Sequence, residues 1–134
     1  MTRLGARWFP VALLLAGCGG GSMAGVAYDT ADPVDRWQAV LRANAARYVC
    51  GAPLAEGREA RLADLMVEAQ RQATEALAKR EGTAPGDPEV LGDIAARRTL
   101  QERMVRDAVA ERGCGDAQIM DLIALADRLS AGQG

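Results

Sequence analysis

Residues 116–129 read Asp-Ala-Gln-Ile-Met-Asp-Leu-Ile-Ala-Leu-Ala-Asp-Arg-Leu, and their pattern decides the fold class. Ile119, Leu122, Ile123, Ala126 and Leu129 recur at steps of three and four, which puts them on one stripe of a 3.6-residue helix. Asp116 stands just ahead of the stripe, where a carboxylate accepts a hydrogen bond from a backbone N–H that the first helical turn leaves free. A helix with one apolar stripe has to bury it against something, and the segments upstream carry matching stripes.

Gly113-Cys114-Gly115 separates this helix from a third one, which opens at Asp87-Pro88 and runs to about Arg112. Proline suits the first helical position because its missing N–H is not needed there. The turn Gly82-Thr83-Ala84-Pro85-Gly86 ends a second helix, from about residue 56 to 80, whose stripe is Leu62, Leu65, Met66, Ala69, Ala73, Ala76 and Leu77. Asp32-Pro33 repeats the start signature, with Asp35 near the positive end of the helix dipole. The first helix then continues to about Val49 with Val34, Trp37, Leu41, Ala45 and Tyr48 on one face, before Cys50, Gly51 and Pro53 stop it. These segments are rich in Ala, Leu, Arg and Glu and poor in β-branched and aromatic residues, so helix is favoured over strand throughout. The expected fold is all-α, a small up-down-up-down bundle of about four helices over residues 32–131.

One stripe is interrupted. The third helix places Val90, Leu91 and Ile94 on its face and resumes with Val105, Ala108 and Val109, while Arg98, Gln101 and Glu102 fall between them. Either the helix bends or pairs a charge at the bundle edge, or a polar floor lies under a binding groove. Asn44 faces the same way on the first helix, so Asn44, Arg98, Gln101 and Arg106 are the candidate binding residues. Arg97, Arg98, Arg103 and Arg106 together form a basic stretch suited to a paired surface, to lipid headgroups or to an acidic partner.

The leading segment carries Arg3 and Arg7 and then the apolar run Trp8 to Ala16, the layout of a signal peptide. That run is about half of the ~20 residues a spanning helix needs. Its end, Leu15-Ala16-Gly17-Cys18, resembles the lipobox of bacterial lipoproteins. The resemblance implies cleavage before Cys18, a signal peptide over residues 1–17, and fatty acylation of Cys18. Gly19 after that cysteine implies, by the same resemblance, transport to the outer membrane in a Gram-negative organism. Cleavage after Ala27 is the rival and would leave an unanchored periplasmic protein. Residues 18–31, opening Cys-Gly-Gly-Gly-Ser, read as a flexible tether with a reach of roughly 20 Å.

With Cys18 acylated, Cys50 and Cys114 remain as an even pair in an oxidising compartment, and a disulfide is expected. In an up-down-up-down bundle the first and third helices end at the same pole, where those cysteines stand. The mature chain of about 117 residues is enough for one domain. Loss of Arg3 and Arg7 takes the formal net charge from −2 to about −4, a sign that disfavours nucleic-acid binding.

The chain contains no histidine, which removes the commonest general base and the commonest zinc or haem ligand. Ser22 and Ser130 accordingly have no activating partner of the triad type. Glu56, Glu59, Asp64 and Glu68 supply carboxylates for a glycan-cleaving pair or, as the plainer reading, a solvated helix face. Met66, Met104 and Met120 are read as core filler rather than a soft metal site, and no cofactor or metal is expected. Asp32 with Arg36, Asp93 with Arg97, Glu75 with Lys79 and Glu102 with Arg106 stand at helix-supporting spacing. The functional expectation is a lipid-anchored binding or accessory module that contacts an envelope protein and is not an enzyme. A carboxylate-dependent cell-wall enzyme, or an inhibitor or immunity protein against a periplasmic enzyme, is the alternative.

Overall fold

The computed structural model describes residues 28–132, so Cys18, the signal peptide and most of the tether lie outside the described residues. Four helices follow one another: α1 Pro33–Val49, α2 Arg58–Glu81, α3 Pro88–Arg112 and α4 Ala117–Ser130, with no strand among the described residues. Three of the starts are local chemistry. The Asp32 carboxylate accepts from the Val34 N–H at 2.9 Å, Asp87 from Glu89 at 2.9 Å, and Asp116 from Gln118 at 3.2 Å. The second helix starts two residues later than its composition implies, because Gly57 takes the left-handed conformation at φ 76° and no side chain caps it. At its other end Gly82, also left-handed, turns its N–H back to the Ala78 and Lys79 carbonyls.

Direction alternates along the chain as expected of the bundle. Ion pairs Asp32–Arg80 and Arg47–Glu59, both at 2.7 Å, tie each end of α1 to the opposite end of α2. The Cys50–Cys114 disulfide joins the C-terminal ends of α1 and α3, with Cα atoms 5.8 Å apart. Ile119 packs with Ala46 while Leu129 packs with Val40 and Ala43, so α4 runs back along α1.

The cross-section is not a square of four equivalent helices. α1 is the centre, packed broadly against each of the others, whereas α3 and α4 barely meet. The core accordingly divides into three clusters, each shared by α1 and two neighbours. Val34, Trp37 and Leu41 meet Ala73, Leu77, Val90 and Ile94; Val40 and Ala43 meet Leu62, Ala126 and Leu129; Ala46 meets Val105, Ala108 and Ile119. Five successive residues, Ala39 to Ala43, are all buried, and at about 100° per residue they exceed a full turn. No single-stripe pattern describes a stretch of helix covered all round. Its many alanines let the neighbouring helices come close enough to enclose it.

Two expected core positions lie on the surface. Tyr48 continues the α1 stripe by spacing but is 79 % exposed, and Leu91 of α3 is 50 % exposed beside buried Val90. Both sit near a helix end where the neighbours diverge or where only one side of the helix is covered. Tyr28 is half-buried against the Val40 cluster, and Thr30 accepts a hydrogen bond from the Asp32 N–H at 3.2 Å, so residues assigned to the tether by composition are seated on the bundle.

Of the ion pairs expected from spacing, Asp93–Arg97 forms at 3.0 Å. Asp32 instead reaches Arg80 on α2, and Glu75 pairs with Arg71 at 2.6 Å. Spacing within a helix says which groups are neighbours, but a cation from another helix (Arg80 for Asp32) or one turn the other way on the same helix (Arg71 for Glu75) competes for the carboxylate.

Candidate functional site

The α1 positions Leu41, Asn44, Ala45 and Tyr48 share one face at steps of three and four. At this level α2 and α3 have spread apart and leave that face partly open. The result is a cleft of about 210 Å³ between α1, α2 and α3. Leu41 forms its buried floor, Met66 closes it from α2, and Tyr48 stands at its mouth. Glu102 and Arg106, one turn apart on α3, place a carboxylate and a guanidinium on the opposite wall. The stripe that sequence spacing assigns wholly to the core therefore runs from core at Leu41 to exposed surface at Tyr48.

The four candidate binding residues part company in the structure. Asn44 and Arg106 come together in the cleft. The Asn44 carbonyl oxygen accepts from the Arg47 guanidinium at 2.9 Å, and the same guanidinium grips both Glu59 oxygens at 2.7 and 3.0 Å. That engagement leaves the Asn44 amide N–H groups to serve the cleft. Gln101 instead points inward, 3 % exposed, and accepts a hydrogen bond from the Arg42 Nε of the central helix. Arg98 lies on the surface and donates to the Gln70 side-chain carbonyl, a stitch between α3 and α2 outside the cleft.

The polar break in the α3 stripe thus has an internal cause at Gln101. Arg42 needs an acceptor because it lies in the stretch of α1, Ala39 to Ala43, that the other helices enclose. Burial holds the Arg42 guanidinium below its ordinary pKa, and the Asp35 carboxylate two turns earlier opposes that shift. Arg42 was not foreseeable as a core residue, since its polar character carries no local sign that three helices will surround it. Tyr48 was visible as part of a face, but not as the exposed end of one.

A second concavity lies at the disulfide end. It is a groove of about 660 Å³ whose apolar wall includes Pro53, Leu54, Met120, Ile123 and Ala124 beside Cys114. Its two charged residues are both engaged, Arg47 with Glu59 and Asp127 with Arg58 at 2.8 Å.

Compared with protein families, curated proteins and solved structures, the chain finds no match. The chemistry of these sites therefore has to be judged from their own side chains. Glu56, Glu59, Asp64 and Glu68 all lie exposed on the surface. Glu68 is drawn down to about 2 by hydrogen bonds from Arg71 and then Gln72, and is thereby held ionised. Ser130 is buried and gives its hydroxyl proton to the Asp127 carbonyl at 2.8 Å, a bond internal to the last turn of α4. Met66 packs against the core, whereas Met120 is 57 % exposed in the groove. Among the described residues no group of His, Cys, Asp and Glu is arranged to hold a metal ion, and no helix is long and apolar enough to cross a membrane.

What the α1–α2–α3 cleft offers is recognition by mixed contacts. An exposed phenol ring supplies area and a hydroxyl at little entropic cost, the Glu102 and Arg106 pair supplies both signs of charge, and Asn44 supplies amide donors. That set fits a short peptide segment or another small group with an apolar side and a polar side.

Proposed function

We infer that the mature chain is a lipid-anchored binding module of the cell envelope, working by stoichiometric contact through the cleft between α1, α2 and α3. The observation that carries this reading is the convergence of Asn44, Tyr48, Glu102 and Arg106 around one opening, with Tyr48 79 % exposed in a chain otherwise poor in aromatics. An aromatic kept at a cleft mouth is a frequent anchor of protein contacts.

The address comes from the lipobox-like Leu15-Ala16-Gly17-Cys18, which places the anchor ten residues before Tyr28. Gly19 directs the anchored protein to the periplasmic face of the outer membrane in a Gram-negative cell. A short tether raises local concentration at that surface, so that a cleft of modest affinity suffices. The partner on this reading is an envelope protein that presents a short segment of mixed polarity.

The test is co-purification from solubilised envelopes. Tyr48→Ala combined with Arg106→Glu should abolish recovery of the partner, while Arg98→Glu, outside the cleft, should leave it intact. Equal loss in both variants would move the contact to the basic surface of α3. Multiple turnover of purified peptidoglycan by the domain, abolished by Glu56→Gln or Glu59→Gln, would replace the binding module with an enzyme.

A further inference from the structure

The groove at the disulfide end is distinct from the cleft and has the opposite chemistry. Its lining is apolar, and the charges at its rim already have partners in Glu59 and Arg58. A charged occupant would find no free counter-charge there, whereas an uncharged apolar segment strands no charge on entering. Met120 and Ile123 lie one turn apart on α4 and give such a segment a continuous wall.

The chain itself supplies a segment of that kind. Tyr28, the first described residue, packs on the cluster of Val40, Ala43, Leu62, Ala126 and Leu129. Leu54 packs on the same cluster and also lines the groove. Tyr28 and Leu54 thus share one cluster, and its Leu54 edge opens on the groove. The five residues before Tyr28 are Met23-Ala24-Gly25-Val26-Ala27, without a charge among them. Extended, five residues span about 17 Å, while the α4 wall from Met120 to Asp127 is about 10 Å long at 1.5 Å per residue. Covalent attachment holds the segment at an effective concentration on the order of millimolar.

We propose that residues 23–27 dock in this groove and strap the tether to the bundle. The free tether shortens from residues 18–27 to residues 18–22, and its reach falls from roughly 17 Å to about 12 Å on the coil estimate. The domain is held against the membrane rather than swung from it. This inference rests on cleavage before Cys18, since cleavage after Ala27 removes the segment.

The experiment uses the mature protein as purified from cells, methyl-labelled at Met, Ile and Val and placed in lipid nanodiscs where it is acylated. Intact mass first establishes where the chain begins. A nuclear Overhauser contact between the Val26 methyls and those of Ile123 or Met120 is expected. Met23→Asp with Val26→Asp should erase it and shift the Met120 methyl resonance, and Met120→Lys should release the Val26 signal from the groove side. A chain that begins at Cys18 but shows no such contact, with Met120 unmoved by the double change, refutes the strap and leaves the address standing. Contacts found only between differently labelled molecules would assign the groove to a second copy. A mass beginning at Tyr28 overturns the strap and the lipid anchor together.

Discussion

Replacing both Cys50 and Cys114 by alanine should lower the stability of the bundle by about 4 kcal/mol. The two cysteines are separated by 64 positions, and the loop they close contains the whole of α2 and α3. On the chain-entropy account, closing a loop of this length removes roughly 14 cal/mol/K from the unfolded ensemble, or about 4 kcal/mol at room temperature. Net stabilities of small domains are ~5–15 kcal/mol, and this core holds one large aromatic, Trp37, among many alanines. The link is thus a large share of the total. Cys114 is exposed and Cys50 only half-buried, so alanine at either position leaves little cavity and the measured change reads the link rather than lost packing. For a domain of about this size each kcal/mol moves the melting temperature by ~5 °C, which predicts a fall of about 20 °C. Far-ultraviolet circular dichroism during heating measures it, and urea titration of the same double variant checks the free energy. A fall below ~5 °C would refute the reasoning, as would two free thiols in protein taken from the periplasm.

Three further outcomes are expected. Gln101→Leu should destabilise by ~1–3 kcal/mol, because it removes an acceptor from the buried Arg42; adding Arg42→Met should recover part of the loss in urea titrations, and a double variant worse than the sum of the singles would remove the pairing. Asp32, Asp87 and Glu68 have lowered pKa values in the folded chain, chiefly through the Val34 N–H, the Glu89 N–H and Arg71 respectively. Their contribution is complete above the ordinary values of 3.8 and 4.5 and is lost as pH falls through the folded values, about 2 for Glu68; the urea midpoint should decline in that window, less steeply in Asp32→Asn, and a midpoint that rises on acidification contradicts the assignment. Finally, a Cys18→Ser precursor should take up no labelled fatty acid and stay uncut by the lipoprotein peptidase; label entering the variant, or wild type released in soluble form, would end the anchored reading.

The number of helices, three of their four starts and the pole at which two of them end were legible in residues 32–131 alone. Those are decisions made within a few residues. A carboxylate at Asp32, Asp87 or Asp116 reaches N–H groups two or three positions ahead, and proline at the first helical position needs no partner from elsewhere. The pairing of Cys50 with Cys114 followed because alternating helices return the chain to the same end, a consequence of connectivity rather than of contact detail. The start of α2 was less legible, since Gly57 supplies a left-handed turn and no capping side chain.

What surrounds each helix depends instead on how all four pack together. Local spacing gives a helix one inside and one outside, but α1 is enclosed by three neighbours, and that alone puts Arg42 in the core and obliges Gln101 on α3 to face it. The same arrangement splits one continuous stripe between buried Leu41 and exposed Tyr48, because α2 and α3 part before α1 ends. Arg106 joins Asn44 in the cleft while Arg98, eight residues earlier on the same helix, stitches α3 to Gln70. Which of two like side chains lines a site depends on the rotation of one helix against another, a quantity set by the packing of all four and encoded at no single position.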